Sequence, residues 1–236
     1  MKTGRDEKDL LKQLDEFFTR KVPKRLRSGY EEIERMLKKE IRFGNGGDPL
    51  VYDPDNPFCY LAAFVRDKGV ATVAPSTKYL VNRVLRAMHL DAARVVVEYG
   101  PANGVMTRRI LARLPHDAVL VAVERNEHFC RGLRRLHDPR LRLVQGDAQE
   151  IDRIMRGHDL PHADVIVSGI PFSYFDKDER DRLVAKTHAW LAPGGRFVAY
   201  QCTTHLIPVL KRHFRRVETQ FELRNLPPHF VFAAFK

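Results

Sequence analysis

From residue 77 to the C-terminal lysine, short apolar runs alternate with segments of helical period, and this alternation constrains the chain more than any other feature. Apolar residues recurring at i, i+3 and i+4 predict helices over about 77–88, 105–114, 127–136, 148–157, 178–191 and 205–213. Between them, runs rich in Val, Leu, Ile and Phe predict strands over 94–99, 118–124, 141–145, 163–168 and 196–201. Near-continuous apolar strands suit a sheet buried on both faces, and successive parallel strands need a helical crossover. The expectation is an α/β domain, with a mostly parallel sheet covered by helices on both faces. Two last β-runs, 215–223 and 229–235, are joined by Asn225-Leu226-Pro227-Pro228. That link is too short for a crossover, so the pair predicts a C-terminal antiparallel hairpin on the sheet edge and completes a seven-stranded sheet.

Residues 1–43 read differently. Leu10, Leu11, Leu14, Phe17 and Phe18 fall at helical spacing, and Arg20, Lys21, Lys24, Arg25 and Arg27 follow at once, interrupted by Pro23. A second amphipathic run sets Tyr30, Ile33, Met36, Leu37 and Ile41 opposite Glu31, Glu32, Glu34, Lys38 and Lys39. Two amphipathic helices around a basic cluster suit an anionic lipid surface; packing of both on the body fits the same pattern. Gly44-Asn45-Gly46-Gly47-Asp48-Pro49 and Asp53-Pro54-Asp55-Asn56-Pro57 cannot continue a helix. The chain is therefore expected to comprise a basic amphipathic helical arm (1–43), a hinge and connecting segment (44–73) and the α/β domain (74–236).

Charge narrows the partners. The 236 residues hold 41 Lys and Arg against 30 Asp and Glu, a formal net charge of +11. Such an excess favours an anionic partner, either nucleic acid or a membrane surface, where it does more than keep the chain soluble. Cys59, Cys130 and Cys202 are scattered and odd in number, so neither a disulfide framework nor a zinc site is expected, and a reducing, cytoplasmic compartment fits. The first residues lack the apolar core of a signal peptide, and no apolar run approaches the roughly 20 residues of a bilayer span. Any membrane contact is expected to be peripheral.

Open α/β sheets bind ligands outside the carboxyl ends of their strands, so those ends carry the functional reading. The first runs into Glu98-Tyr99-Gly100-Pro101-Ala102-Asn103-Gly104, where two glycines permit a tight turn and close approach of a ligand. A dinucleotide fingerprint would need glycine also at 102 and 105, where Ala102 and Val105 stand, so a nicotinamide or flavin reading has little support. The second strand ends in Glu124-Arg125-Asn126; a carboxylate there can accept from both ribose hydroxyls, or serve the first turn of the next helix. The third ends in Gly146-Asp147-Ala148, where the acid can take an adenine amine or cap a helix. The fourth ends in Ser168-Gly169-Ile170-Pro171-Phe172, a rigid turn presenting carbonyls and a ring.

Together these four strand ends resemble those of class I S-adenosylmethionine-dependent methyltransferases, over about residues 74–236. Glu98–Gly104 resembles the E-x-G-x-G-x-G loop of that class, with Ala102 in place of the middle glycine. The resemblance implies a Rossmann-like sheet and S-adenosyl-L-methionine as cofactor, leaving as S-adenosyl-L-homocysteine. It implies donor contacts from Glu98, Tyr99, Gly100, Pro101, Asn103, Gly104, Arg125 and Ser168, a ribose contact from Glu124, and adenine contacts from Asp147 and Ala148.

Within the class, ribosomal RNA adenine dimethyltransferases carry N-[LI]-P-[YF] at the fourth strand. Gly169 stands at the Asn position, which counts against adenine chemistry. Ser168-Gly169-Ile170-Pro171, with Val73-Ala74-Pro75-Ser76 and Arg224-Asn225-Leu226-Pro227-Pro228, is similar instead to bacterial phospholipid N-methyltransferases of the dimethylase-like type. This implies a lipid head-group amine as acceptor (phosphatidylethanolamine and its methylated intermediates) at an anionic phospholipid membrane, without a metal, on the inner face of the membrane. Ser168, Gly169, Ile170 and Tyr174 would orient the amine. Pro171 and Phe172 would face the head group, where a ring at Phe172 or Tyr174 could hold the methylated cation or, for Phe172, simply pack. Ser76, Arg224 and His229 would meet the lipid phosphate. An RNA adenine N6-methyltransferase, a small-molecule amine methyltransferase and a non-catalytic lipid-binding adaptor remain as alternatives.

Overall fold

A computed structural model describes residues 76–225 and 228–236. Two units, Met1–Ala74 and Pro75–Lys236, divide the chain, and every described residue belongs to the second. The expected arm and hinge lie outside the described residues, as do Leu226 and Pro227.

The chain runs α1 (Lys78–Met88), β1 (Val95–Tyr99), α2 (Val105–Leu111), β2 (Val119–Glu124), α3 (Glu127–Leu133), β3 (Leu141–Gln145), α4 (Ile151–Gly157), β4 (Ala163–Ser168), α5 (Lys177–Trp190), β5 (Leu191–Gln201), α6 (Ile207–His213), β6 (Arg216–Glu222) and β7 (His229–Phe235). One seven-stranded sheet has the order β3-β2-β1-β4-β5-β7-β6. The first five strands pair in parallel, and β7 inserts antiparallel between β5 and β6. The strand order reverses between β1 and β4, which opens a crevice at the carboxyl ends of those strands. Gln201 pairs with Phe230 and Glu222 with His229. The β6–β7 link therefore sits at the same end of the sheet as the carboxyl ends of β1–β5.

The alternating side-chain directions of the strands split the core in two. Val96, Val165, Val167, Val198, Val231 and Ala233 face α1 and α2, which contribute Leu80, Val84, Met88, Met106 and Ile110. Val97, Tyr99, Ile166, Phe197, Phe232 and Ala234 face α4, α5 and α6, with Ile154, Met155, Leu183, Val184, Val209 and Leu210. The apolar residues of α1 recur at helical spacing, and the Thr77 hydroxyl accepts from the Leu80 N–H at 3.4 Å to cap its start. Helix α5 begins with a capping box between Asp176 and Glu179. The strand expected at 196–201 is the regular part of β5; Leu191 also pairs with Ala163, and the register then shifts across Pro193-Gly194-Gly195.

Candidate active site

The tip of β1 is built from the backbone outward. Gly100 and Gly104 hold φ of +70° and +77°, left-handed conformations that side chains disfavour. A Cβ at Gly100 would lie 2.6 Å from the Ile170 side chain, so the β4 tip packs directly over the loop. Ala102 also takes a positive φ, +50°. The glycine it replaces thus has a conformational role, and alanine accepts the strain there. The Ala102 N–H donates to Glu124 at 3.0 Å, and the Asn126 N–H donates to the other oxygen of the same carboxylate at 2.8 Å. Glu124 ties the β1 loop to the β2 tip in this way.

Behind the loop stands Glu98, 2% exposed. Its Oε2 accepts from the Thr107 hydroxyl at 2.8 Å. Its Oε1 is buried with no hydrogen-bond partner among the described residues. Burial is the main cause that pushes its carboxyl up to about 8, and Glu124 adds repulsion. A buried acceptor of this kind fits a ligand ammonium or an ordered water. At the β3 tip, Asp147 Oδ1 accepts from the Gln149 N–H at 2.9 Å, so the acid caps a short helical turn, and Oδ2 lies 3.8 Å from Arg125. Ala148 is buried beside it. Asn103 is buried and accepts from the Val105 N–H at 3.2 Å; Pro101 accepts from the Gly104 N–H at 2.9 Å.

The β4 tip is pinned from several sides. The Gly169 N–H donates to the Tyr99 carbonyl at 3.0 Å. Arg180 donates to the carbonyls of Phe172 and Phe175 at 2.9 and 3.0 Å, and Gln201 accepts from the Phe172 N–H at 3.3 Å. A Cβ at Gly169 would stand 2.5 Å from the Tyr200 hydroxyl oxygen, which explains glycine at this position. Beyond it, His229 and Asn225 are buried, and the Asn225 side chain joins the Thr77 N–H (2.9 Å) to His229 Nδ1 (3.1 Å). The Cys202 sulfur lies 3.6 Å from both ring nitrogens of His229, and burial pushes its thiol up to about 11. Tyr174 is exposed, and its phenol is raised by partial burial and by Cys202.

These positions bear on several expected roles. Phe172 is fully buried, its ring centroid 5.8 Å from that of Phe175 and 6.1 Å from that of Phe197, so it packs in the core rather than facing a head group. The Tyr99 side chain turns to Thr187 on α5, 3.3 Å away, and burial raises its phenol; only its backbone lines the tip. The Ser168 hydroxyl is fully buried and accepts from the Ile170 N–H at 3.3 Å, so it braces the turn instead of meeting an acceptor. Arg224 binds Glu222 through Nε (2.8 Å) and Nη2 (3.1 Å), holding that carboxyl at about 2, and lies 4.2 Å over the Tyr79 ring. Ser76 stands just before α1, half-buried, and Pro171 precedes the turn at Phe172–Tyr174. Tyr200 and Asn225 were not singled out as site residues by sequence reasoning, although Asn225 belongs to the Arg-Asn-Leu-Pro-Pro motif. Among the described residues no cluster of His, Cys, Asp and Glu is arranged to hold a metal, and no helix is long and apolar enough to cross a membrane.

Comparison with known proteins adds to this geometry. A family described as a methyltransferase domain matches residues 96–195. The ornithine lipid N-methyltransferase of Singulisphaera acidiphila is 33% identical over 178 residues, 72% of this chain and 91% of that protein. The ribosomal RNA small subunit methyltransferase A of Thiobacillus denitrificans is 40% identical over 95 residues, 40% of this chain but only 34% of that protein. Among solved structures, the N-methyltransferase NodS of Bradyrhizobium japonicum in complex with S-adenosyl-L-homocysteine superposes with a TM-score of 0.54 at 13% identity, covering 68% of this chain and 88% of that one. At that identity the likeness speaks for the fold alone.

Proposed function

The chain belongs to the class I S-adenosylmethionine-dependent methyltransferases, and on that premise we propose that it methylates the amine of a lipid head group at an anionic membrane surface. The observation that carries the reading is the similarity to the ornithine lipid enzyme, which extends over 91% of that protein, whereas the RNA enzyme is matched over about a third of its length. Glycine at 169, where adenine enzymes need a polar side chain, supports the same choice. Phosphatidylethanolamine, its methylated intermediates and ornithine lipid share the chemistry, a head-group amine next to acyl chains.

The crevice residues fit the donor. When bound, S-adenosylmethionine supplies a methyl group already activated on a sulfonium sulfur. The Glu124 carboxylate at the β2 tip would take the ribose hydroxyls, and Asp147 just past β3 the adenine amine. The unpartnered Oε1 of Glu98 would take a hydrogen bond from the donor's ammonium, and that cation would favour the ionised carboxylate. Gly100 and Gly104 would admit the donor's methionine end close to the β1 backbone, and a side chain at Gly100 would collide with Ile170.

The acceptor nitrogen would take the methyl carbon, and the electron pair of the carbon–sulfur bond would remain on sulfur. The head-group ammonium must give a proton to water before attack. The chain's own contribution is orientation and proximity, which can supply several orders of magnitude without a charged catalyst. Tyr174, exposed beside the β4 tip, offers a ring face to the methylated cation.

The amphipathic arm would hold the enzyme on the bilayer through its basic cluster and its Leu and Phe side chains. Deleting residues 1–27 should reduce sedimentation with anionic vesicles and leave donor affinity unchanged. Incubation of the full chain with methyl-labelled donor and a panel of phosphatidylethanolamine, ornithine lipid, ribosomal RNA and small amines tests the acceptor. Label in the lipid fraction is the expected result; label in RNA or in small amines alone would refute it.

A further inference from the structure

Glycine at 169 does more than remove a side chain; it makes room for one that arrives from another strand. A Cβ there would fall 2.5 Å from the Tyr200 hydroxyl oxygen, 2.9 Å from the ring carbon that bears it, and 3.5 Å from the Gly100 carbonyl oxygen. The β5 phenol therefore reaches across to the β4 tip and ends beside the β1 loop, where the strand order reverses.

The wall behind this hydroxyl is kept neutral. His229 lies close, with its ring centroid 6.4 Å from that of Tyr200. Thr77 N–H can only donate, so the atom of Asn225 that faces it is the amide oxygen, and the Asn225 amino group must face His229 Nδ1. Nδ1 then accepts, which leaves the ring proton on Nε2 and opposes a second proton. A charged imidazole here would repel an incoming ammonium and its methylated products; the clamp removes that repulsion.

We propose that the Tyr200 hydroxyl, seated on Gly169 against a neutral His229, is the binding site for the acceptor amine and takes one of its N–H groups as a hydrogen bond. The ligand class is an aliphatic primary to tertiary amine, and its identity as a lipid head group rests on the function proposed above. The hydroxyl fixes the nitrogen so that its lone pair points at the methyl. Specificity follows from the pair: a larger residue at 169 displaces the phenol, so this chain cannot place an amide at the β4 tip and keep the site.

The test uses the full chain, vesicles of phosphatidylethanolamine with phosphatidylglycerol, and methyl-labelled donor. Tyr200→Phe keeps the ring and its packing. It should lower kcat/KM for lipid about tenfold, as loss of one hydrogen bond predicts, with donor affinity unchanged. Gly169→Ala should lower kcat/KM at least as much in the wild type and cost nothing further in a Tyr200→Ala background, because the collision is gone. Lipid turnover by Tyr200→Phe at the wild-type rate overturns the site, as does an equal Gly169→Ala loss in both backgrounds. A wild type that labels RNA but no lipid in the same assay overturns the lipid reading, and with it the acceptor assigned here.

Discussion

The two sides of the crevice are built on different principles. On the side of β1, β2 and β3, each strand tip carries its own carboxylate within the strand or the turn that follows it, and neighbouring backbone N–H groups donate to two of the three. On the side of β4, β5 and β7, the polar atoms are a phenol, an amide and an imidazole, held by segments far apart in sequence; Thr77 and Asn225 are 148 residues apart. The first side suits a ligand of fixed shape with a diol, an amine and an ammonium. The second is neutral and aromatic, and it suits an acceptor that arrives charged and must shed a proton.

That contrast can be broken at each side, and the largest effect is expected at Glu98. Burial holds its carboxyl protonated up to about 8 in the folded chain, against 4.5 for the ordinary group. A raised acid stabilises fully below pH 4.5 and loses that contribution as pH rises through 8, because the unfolded chain ionises first. Glu98→Gln has no proton to lose, so urea unfolding from pH 4 to 9 should find it equal to wild type at the acid end and more stable by on the order of 3 kcal/mol at pH 7. Equal stability at all pH values would mean that the carboxylate is not buried in the free protein.

Glu124→Ala comes next. Removing the carboxylate takes away the ribose acceptor and the tether to Ala102 and Asn126, and S-adenosylhomocysteine affinity should fall about a hundredfold, with the KM for lipid little changed. The reverse split would exchange the roles of the two sides. Asn225→Ala should cost about 1–2 kcal/mol in stability by leaving the Thr77 N–H without its acceptor, while donor affinity holds.

The smallest effect is at Ala102. Its φ of +50° costs about 1–2 kcal/mol, and glycine would relieve this against an entropy cost of about 0.4–1 kcal/mol. Ala102→Gly should therefore stabilise the protein by about 0.5 kcal/mol without altering either substrate.

The same contrast explains what could be read from the sequence. The apolar runs gave strand positions within about a residue or two of those observed for β1 to β4, since a doubly buried parallel strand leaves an unmistakable Val, Ile and Leu signature. The proposed donor side could be suggested from sequence because Glu98, Glu124 and Asp147 each lie at the end of their own strand, and the sheet order sets those ends side by side. The acceptor side could not, because Tyr200 reads as one more alternating residue of β5, and nothing local says that its hydroxyl lies on Gly169. Phe172 misled for the opposite reason: adjacency to the tip suggested a ligand contact, but the turn swings its ring into the core against Phe197. Arg224 and His229 read as cationic side chains in the sequence, and nothing local shows that Arg224 pairs with Glu222 or that His229 meets Asn225.

The most direct test places both sides in one calorimeter: titration of S-adenosylhomocysteine into wild type, Glu124→Ala and Tyr200→Phe. Tight binding in wild type and Tyr200→Phe, with loss in Glu124→Ala, is the predicted result. Undiminished binding by Glu124→Ala, or loss of binding in Tyr200→Phe, would contradict the division of the crevice on which the account rests.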